Sequence, residues 1–194
     1  MTQLGLDAID GSSFDVVICG GGLAGLLLGL QLRQELPQLR VLTLEKTKRP
    51  LPDGCHKVGE SSVELGSQHL ERLGLREYLL KHQLIKHGLR FFPGGGHKPL
   101  AERYEIGPMQ EPIVSSYQLD RGSFESDLRG FNEEQGVTLI EGCAVRDVEI
   151  GSGEAEHTIY FEMLGEAQPK RYSVKARWLA DATGRHALIR KRLK

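Results

Sequence analysis

The stretch DVVICGGGLAG, residues 15–25, places four glycines in eleven residues directly after an apolar, β-branched run. Glycine inside a strand or helix costs roughly 0.5–1 kcal/mol relative to alanine, so the presence of these glycines needs a conformational or steric explanation. Residues 14–19 are typical of a buried parallel strand, and residues 23–36, ended by Pro37, are typical of a helix. Residues 20–22 form the turn between them.

Gly20, Gly22 and Gly25 form a G-x-G-x-x-G pattern at the start of this helix. The first glycine permits a tight turn, the second lets main chain approach a pyrophosphate, and the third lets the helix pack closely on the strand. Unpaired N–H groups in the first helical turn, at Leu23 and Ala24, favour bound phosphate. The pattern therefore predicts a nucleotide at this turn, with a ligand-free glycine turn as the alternative.

A second buried strand, residues 40–45, completes a strand–turn–helix–strand unit and ends in Glu45. A carboxylate at this strand end can accept hydrogen bonds from ribose hydroxyls, and Lys46 follows it beside the same ligand. The unit predicts a dinucleotide, and both FAD and NAD remain possible at this stage.

The remaining chain predicts an α/β fold that is interrupted by a different segment. A helix opened by a capping box at residues 61–64 and a second helix at 75–81 precede three short strands at residues 88–92, 101–106 and 114–119. A helix at 121–135 then precedes strands at 137–141, 143–150, 157–164, 171–176 and 178–182, and a last helix begins near the end. We therefore expect a nucleotide-binding domain from residues 1–60 and 120–194, with 61–119 as helices and the start of an antiparallel sheet.

Composition excludes several functional classes. The 194-residue chain is 39% hydrophobic and 26% charged with a net charge of −1, which argues against a general nucleic-acid binder. No apolar run is long enough for a membrane span. Three scattered cysteines, Cys19, Cys55 and Cys143, fit reduced thiols in a cytoplasmic protein. The seven histidines show no ligand-type spacing, so we expect no metal site.

The segments CGGGLAG, KVGESS, YQLDRGSFESDL and WLADATGR, taken in this order, resemble the FAD-dependent monooxygenase and halogenase superfamily. The resemblance extends from about residue 14 to residue 192 and is greatest to the flavin-dependent halogenases. It implies FAD as the cofactor. It also implies an α/β fold: a Rossmann-like FAD-binding domain with a parallel sheet and an inserted partial antiparallel substrate-domain sheet.

The resemblance assigns cofactor contacts in the second half of the chain. Asp181 would lie near the dinucleotide, Gly184 would allow close main-chain approach, and the backbone of Val145 would meet adenine. For Asp181 and Gly184 the alternative is an ordinary turn after a strand. Arg121 would reach toward phosphate or ribose oxygens with its planar guanidinium. A salt bridge from Arg121 to Asp120, Glu125 or Asp127 is the alternative.

The resemblance also assigns roles in the inserted segment. Gly59, Glu60 and Ser61 would lie in a turn that presents N–H groups to the flavin and to a halide, although Ser61 could simply cap the following helix with Glu64. Lys86 matches the halogenase lysine that receives hypohalous acid, by a hydrogen bond or as a haloamine. A solvated lysine at a strand start is the alternative.

The expected function is that of the FAD-binding portion of a flavin-dependent oxidoreductase, of monooxygenase or halogenase type, acting on an aromatic or similar small organic substrate. A partner flavin reductase would supply reduced FAD. The alternatives are a hydroxylase or prenyl-chain reductase that uses NAD(P)H directly, a truncated non-catalytic remnant and, with least support, an NAD-dependent dehydrogenase. The chain resembles only the N-terminal part of the family, and the Trp-x-Trp-x-Ile-Pro motif of halogenases is absent because Trp178 is the only tryptophan.

Overall fold

The structure, a computed structural model, describes residues 5–52, 57, 59–110 and 112–193. The chain forms two compact units, one of Met1–Cys55 with Arg121–Lys194 and the other of His56–Asp120. Cys55 and the valine of the KVGESS segment lie outside the described residues. The assignment of the second unit to a substrate domain remains a prediction.

The elements follow the chain in an alternating order that the inserted unit interrupts. They are α1 (Leu6–Ile9), β1 (Ser13–Cys19), α2 (Leu23–Glu35), β2 (Val41–Glu45), α3 (Glu64–Arg72), α4 (Arg76–His82), β3 (Leu84–Lys86), β4 (Ser116–Gln118), α5 (Arg121–Glu134), β5 (Thr138–Glu141), β6 (Cys143–Glu149), β7 (His157–Met163), β8 (Arg171–Asp181) and α6 (Leu188–Arg192). No helix among these described elements is long and apolar enough to cross a membrane.

The first unit contains a six-stranded sheet in the order β5-β2-β1-β8-β7-β6. The first four of these strands run parallel, and β8, β7 and β6 pair antiparallel. Val16, Val17, Ile18 and Cys19 are all buried, as expected for a central strand that is covered on both faces. The predicted α/β fold with a parallel sheet is confirmed. The carboxyl ends of β1, β2 and β8 consequently lie at one edge of the sheet.

The last two strands predicted from the sequence are wrong as separate elements. Residues 171–176 and 178–182 fall in the single strand β8, which ends at Asp181. Its first half pairs with β7 and its second half pairs with β1, from Lys175 opposite Ser13 to Asp181 opposite Cys19. Because β8 changes neighbours along its length, the burial of its residues also changes midway. The sequence therefore looks like two strands, although the backbone forms one continuous strand.

The second unit contains α3, α4 and a two-stranded antiparallel sheet of β3 and β4. The strand predicted at 114–119 is present as β4, but those predicted at 88–92 and 101–106 are wrong. Only an isolated bridge between Phe91 and Ile106 remains, and Leu100–Glu102 is a 3₁₀ helix. The segment between them contains three consecutive glycines with positive φ, at residues 94–96, a conformation that regular strands do not use.

The predicted capping box is also wrong. Helix α3 begins after Val63, which occupies the N-cap position without a side-chain hydrogen bond. The predicted cap, Ser61, instead accepts a hydrogen bond from Lys86 Nζ at 3.0 Å. Its neighbour Ser62 contacts Ser67 Oγ in α3 at 2.9 Å and accepts the Tyr117 N–H of β4 at 2.7 Å.

Helices α2 and α5 pack together through one glycine and one asparagine. The Asn132 amide donates to the carbonyl oxygens of Leu26 and Leu128, at 3.0 and 2.8 Å. A Cβ added at Gly29 would lie 2.5 Å from Asn132 Oδ1. Gly29 is therefore needed for the close approach of the two helices.

Gly29→Ala is expected to lower the free energy of unfolding, because overpacking a filled site costs about 1–3 kcal/mol and exceeds the helix-propensity gain of about 1 kcal/mol. Gly130→Ala in α5 is the matched control, since a Cβ there meets nothing within 4 Å. The control should raise stability in urea denaturation. Equal stabilisation by both substitutions would contradict the close contact.

Candidate functional site

Two of the four glycines after β1 are required by main-chain packing. Gly20 has φ of +112°, and a Cβ there would lie 2.4 Å from the carbonyl oxygen of Ala182. A Cβ on Gly25 would lie 1.9 Å from the carbonyl oxygen of Gly20. The end of β1, the first turn of α2 and the end of β8 therefore pack main chain against main chain.

Gly22 has no such explanation within the protein. Its φ of −82° suits any residue, and a Cβ there would meet nothing within 4 Å. It is the N-cap of α2, and no side chain caps the helix. The N–H groups of the first turn, which includes half-buried Leu23 and exposed Ala24, have no partner within the helix. The space beside Gly22 and these donors suits an external anion.

The Glu45 carboxylate lies against the glycine turn. The N–H of Gly21 donates to Glu45 Oε2 at 2.5 Å, and the N–H of Thr47 donates to Oε1 at 2.7 Å. A Cβ on Gly21 would lie 2.8 Å from Glu45 Cβ, so this third glycine makes room for the acid. Each carboxylate oxygen has a further lone pair for another donor. Lys46 is exposed.

Arg129 is a site residue that the sequence analysis missed. Its side chain is 1% exposed, and its guanidinium contacts Glu141 and lies 3.9 Å from Glu45 Oε1. Arg49 contacts the other oxygen of Glu141 at 2.9 Å. Nothing in the sequence signals the role of Arg129, because a charged helix residue is normally exposed and its burial on α5 becomes visible only in the structure.

Asp181 is engaged by the turn that follows β8. Its Oδ1 accepts the Thr183 N–H and hydroxyl, at 3.1 and 2.5 Å, and its Oδ2 accepts the Ile189 N–H at 2.8 Å. Burial raises the pKa of Asp181, but the hydrogen bonds from Thr183, Ile189 and the backbone N–H of Arg190 lower it by more. The pKa of Asp181 is therefore below its usual value. Asp181 therefore organises the turn at the sheet edge that bears the glycine turn.

The other expected cofactor contacts in this unit lie on three elements. Gly184 has φ of +60°, and a Cβ there would meet nothing within 4 Å. Val145 is half-buried in β6 and packs against the core. Arg121 Nε donates to Glu125 Oε1 at 2.9 Å, so the salt bridge considered as an alternative is present. A cofactor contact of Val145 or Arg121 stays a prediction.

The second unit brings the expected catalytic lysine to the glycine–glutamate–serine turn. Lys86 Nζ donates to Ser61 Oγ at 3.0 Å and to the carbonyl oxygen of Ser62 at 2.5 Å. Gly59 has φ of +89°, and the carbonyl oxygen of Glu60 accepts the Leu119 N–H at 2.7 Å. Lys86 is half-buried at the end of β3, opposite Ser116. Lys86 is thus held by two oxygens rather than freely solvated.

The described thiols have no features of reactive groups. Cys19 and Cys143 are buried, and burial raises the pKa of each to about 12. A thiol with such a pKa remains protonated at neutral pH and is a poor nucleophile or metal ligand. Within the described part of the chain, no group of three histidine, cysteine or acidic side chains is arranged to hold a metal ion.

Comparison with known proteins places this arrangement in a family. A family model described as an FAD binding domain matches residues 13–194. The chain is 28% identical over 194 residues to the flavin-dependent halogenase chlA of Dictyostelium discoideum, covering 91% of this chain and 32% of that protein.

Solved structures show the same fold. The myxobacterial chondrochloren halogenase CndH, an FAD-dependent halogenase, is 26% identical with a TM-score of 0.69, over 88% of this chain and 37% of that chain. The p-nitrophenol 4-monooxygenase PnpA of Pseudomonas putida DLL-E4 has a TM-score of 0.73 at 17% identity, over 94% of this chain and 44% of that chain. The chain thus spans less than half the length of each of these relatives.

The residues at the glycine turn fit FAD. Gly22 leaves open space at an uncapped helix N-terminus, which suits a pyrophosphate, and Glu45 offers acceptor oxygens beside it for ribose hydroxyls. With the family match over residues 13–194, the chain belongs to the FAD binding domain family and is an FAD-binding domain of the type found in flavin-dependent halogenases and monooxygenases.

Proposed function

We propose that this FAD-binding domain serves a flavin-dependent oxidoreductase, of monooxygenase or halogenase type, that acts on an aromatic or similar small organic substrate. The main supporting observation is Gly22, since neither its φ nor any protein atom near its missing Cβ accounts for glycine there. When bound, FAD supplies the redox chemistry with oxygen. The chain's own residues bind and orient it.

Each part of the nucleotide has a proposed partner. The N–H groups at the start of α2, from Gly22 to Ala24, bind the pyrophosphate, and the dipole of this 13-residue helix favours the negative charge. Glu45 accepts hydrogen bonds from the adenosine ribose. Lys46, Arg121, Val145, Asp181 and Gly184 are proposed as further contacts on the basis of the family resemblance.

A halogenase is the favoured form of this activity, because Lys86 is already oriented by the glycine–glutamate–serine turn. An ammonium carries three N–H donors, and Ser61 and Ser62 accept two of them. The third donates to the oxygen of hypohalous acid in this proposal. The aromatic ring then takes the halogen and loses a proton, and the oxygen leaves as water. Ser61 and Ser62 hold the lysine, and Gly59, Glu60 and Ser61 are proposed to offer main-chain N–H groups to the flavin and halide.

The reductant is proposed to come from a second protein. The support for this is the resemblance to the flavin-dependent halogenases, and the one G-x-G-x-x-G pattern in these 194 residues is assigned to FAD. A flavin reductase that delivers reduced FAD would supply the electrons. A hydroxylase or prenyl-chain reductase of the same fold would instead oxidise NAD(P)H directly and would not respond to halide.

Gly22→Ala is expected to weaken FAD binding at least tenfold, since the added methyl group enters the space proposed for the pyrophosphate. The free energy of unfolding should fall by no more than about 1 kcal/mol, because the methyl group meets no protein atom and the remaining cost is that alanine is a poorer N-cap than glycine. Titration of flavin fluorescence measures the affinity, and Gly130→Ala in α5 is the control. Unchanged affinity in Gly22→Ala would refute the pyrophosphate site.

Lys86→Met is expected to lower halide-dependent product formation by about a hundredfold or more, the range that a positioned proton donor supplies. The assay contains a flavin reductase, NADH, oxygen, bromide and an electron-rich aromatic substrate. FAD affinity should not change. Lys81→Met, which removes an exposed lysine of α4, is the matched control. Full halogenation by Lys86→Met would remove this lysine from the mechanism.

A further inference from the structure

Arg129 is the largest fully buried side chain among the described residues. Removing a guanidinium from water is costly unless partners compensate for the lost hydration. Its Nε has no hydrogen-bond partner, so hydrogen bonds replace only part of the hydration that Arg129 loses on burial. Such a residue requires an explanation beyond packing.

The guanidinium of Arg129 contacts three neighbours around the end of β2. Its Nη1 donates to a carboxylate oxygen of Glu141 and, at 2.9 Å, to the carbonyl oxygen of Thr47. Its Nη2 lies 3.9 Å from Glu45 Oε1. Glu45 and Glu141 are register partners on the parallel strands β2 and β5, so their carboxylates would repel each other without a cation between them.

These contacts connect Arg129 to the orientation of Glu45. Arg129 binds the carbonyl oxygen of Thr47, and the N–H of the same residue donates to Glu45 Oε1 at 2.7 Å. The other oxygen, Oε2, accepts from Gly21 in the glycine turn. Arg129 thus fixes the main chain that follows β2 and supplies the positive charge beside the carboxylate.

We propose that Arg129 is a positioning residue for Glu45, and that it sets the carboxylate for the hydroxyls of the adenosine ribose. The inference rests on the proposed role of Glu45 in FAD binding. Arg129 itself contacts no ligand in this proposal. It acts by keeping the Glu45 carboxylate pointed toward the glycine turn.

Arg49 provides a matched control for this network. It donates to the second oxygen of Glu141 at 2.9 Å and to both oxygens of Glu133, at 2.8 and 3.0 Å. It therefore shares Glu141 with Arg129, while its own second partner is Glu133 rather than Glu45. A change that acts only through Glu141 or through general stability should affect both arginine variants.

The experiment compares Arg129→Lys with Arg49→Lys. The probes are ADP, which contains the adenosine and pyrophosphate groups, and 2′,3′-dideoxy-ADP, which lacks the ribose hydroxyls. Lysine keeps the charge, but its single ammonium cannot replace both Nη1, which donates to Glu141 and Thr47, and Nη2, which lies beside Glu45. We expect Arg129→Lys to weaken ADP binding about tenfold, the value of one charge-assisted hydrogen bond.

Three further results are expected from calorimetric titration. Arg129→Lys should leave binding of the dideoxy analogue unchanged within about twofold, as should Arg49→Lys for both nucleotides. In a Glu45→Gln background, Arg129→Lys should cause no further loss of ADP affinity. Equal weakening of both nucleotides, or no weakening of either, would overturn the positioning role. Absence of ADP and FAD binding by the unmodified chain would overturn the proposed function itself.

A second measurement covers the case in which Arg129→Lys does not fold. The buried Nε–H of Arg129 can be followed by NMR in the unmodified chain. Its resonance should shift when ADP is added and should shift much less with the dideoxy analogue. An Nε–H resonance that responds equally to both nucleotides, or to neither, would overturn the proposal.

Discussion

The structure depends on main-chain packing among three segments at one edge of the sheet. The end of β1, the first turn of α2 and the end of β8 approach so closely that Gly20 and Gly25 have no room for a Cβ. This packing aims the N-terminus of α2 at the space beside Gly22. Glycine is destabilising in regular structure, but at this turn it allows close main-chain packing that a larger residue would prevent.

The same edge holds a group of opposite charges in the first unit. Glu45, Glu141 and Glu133 alternate with Arg129 and Arg49, and the whole group joins β2 and β5 to α5. Buried ion pairs contribute little net stability, but the loss of one partner leaves an uncompensated charge. Within this group only Arg129 reaches both Glu45 and the main chain at Thr47, so Arg129 is best understood as fixing where the Glu45 carboxylate points, which is what recognition of a ribose requires.

Sequence patterns predicted those parts of the fold that depend on local chemistry. The unit from β1 to β2 follows from apolar runs, a proline and the glycine pattern. The inserted unit was predicted less well, because its pairing depends on residues far apart in the chain. Ser61, for example, accepts a hydrogen bond from Lys86 rather than capping the helix start beside it. Arg129 was missed because a charged side chain on a helix is normally solvent-exposed, and only the tertiary fold buries it.

Binding of the FAD pyrophosphate at the N-terminus of α2 is tested most directly by the amide signals of Gly22, Leu23 and Ala24 in a ¹⁵N-labelled sample titrated with FAD. We expect these signals to shift and to reach saturation at one equivalent, together with the Gly21 amide that donates to Glu45. Binding at this turn would be contradicted if FAD left these amides unchanged while it shifted those of Phe14, Arg40 and Trp178, which line a cleft at the opposite end of β1.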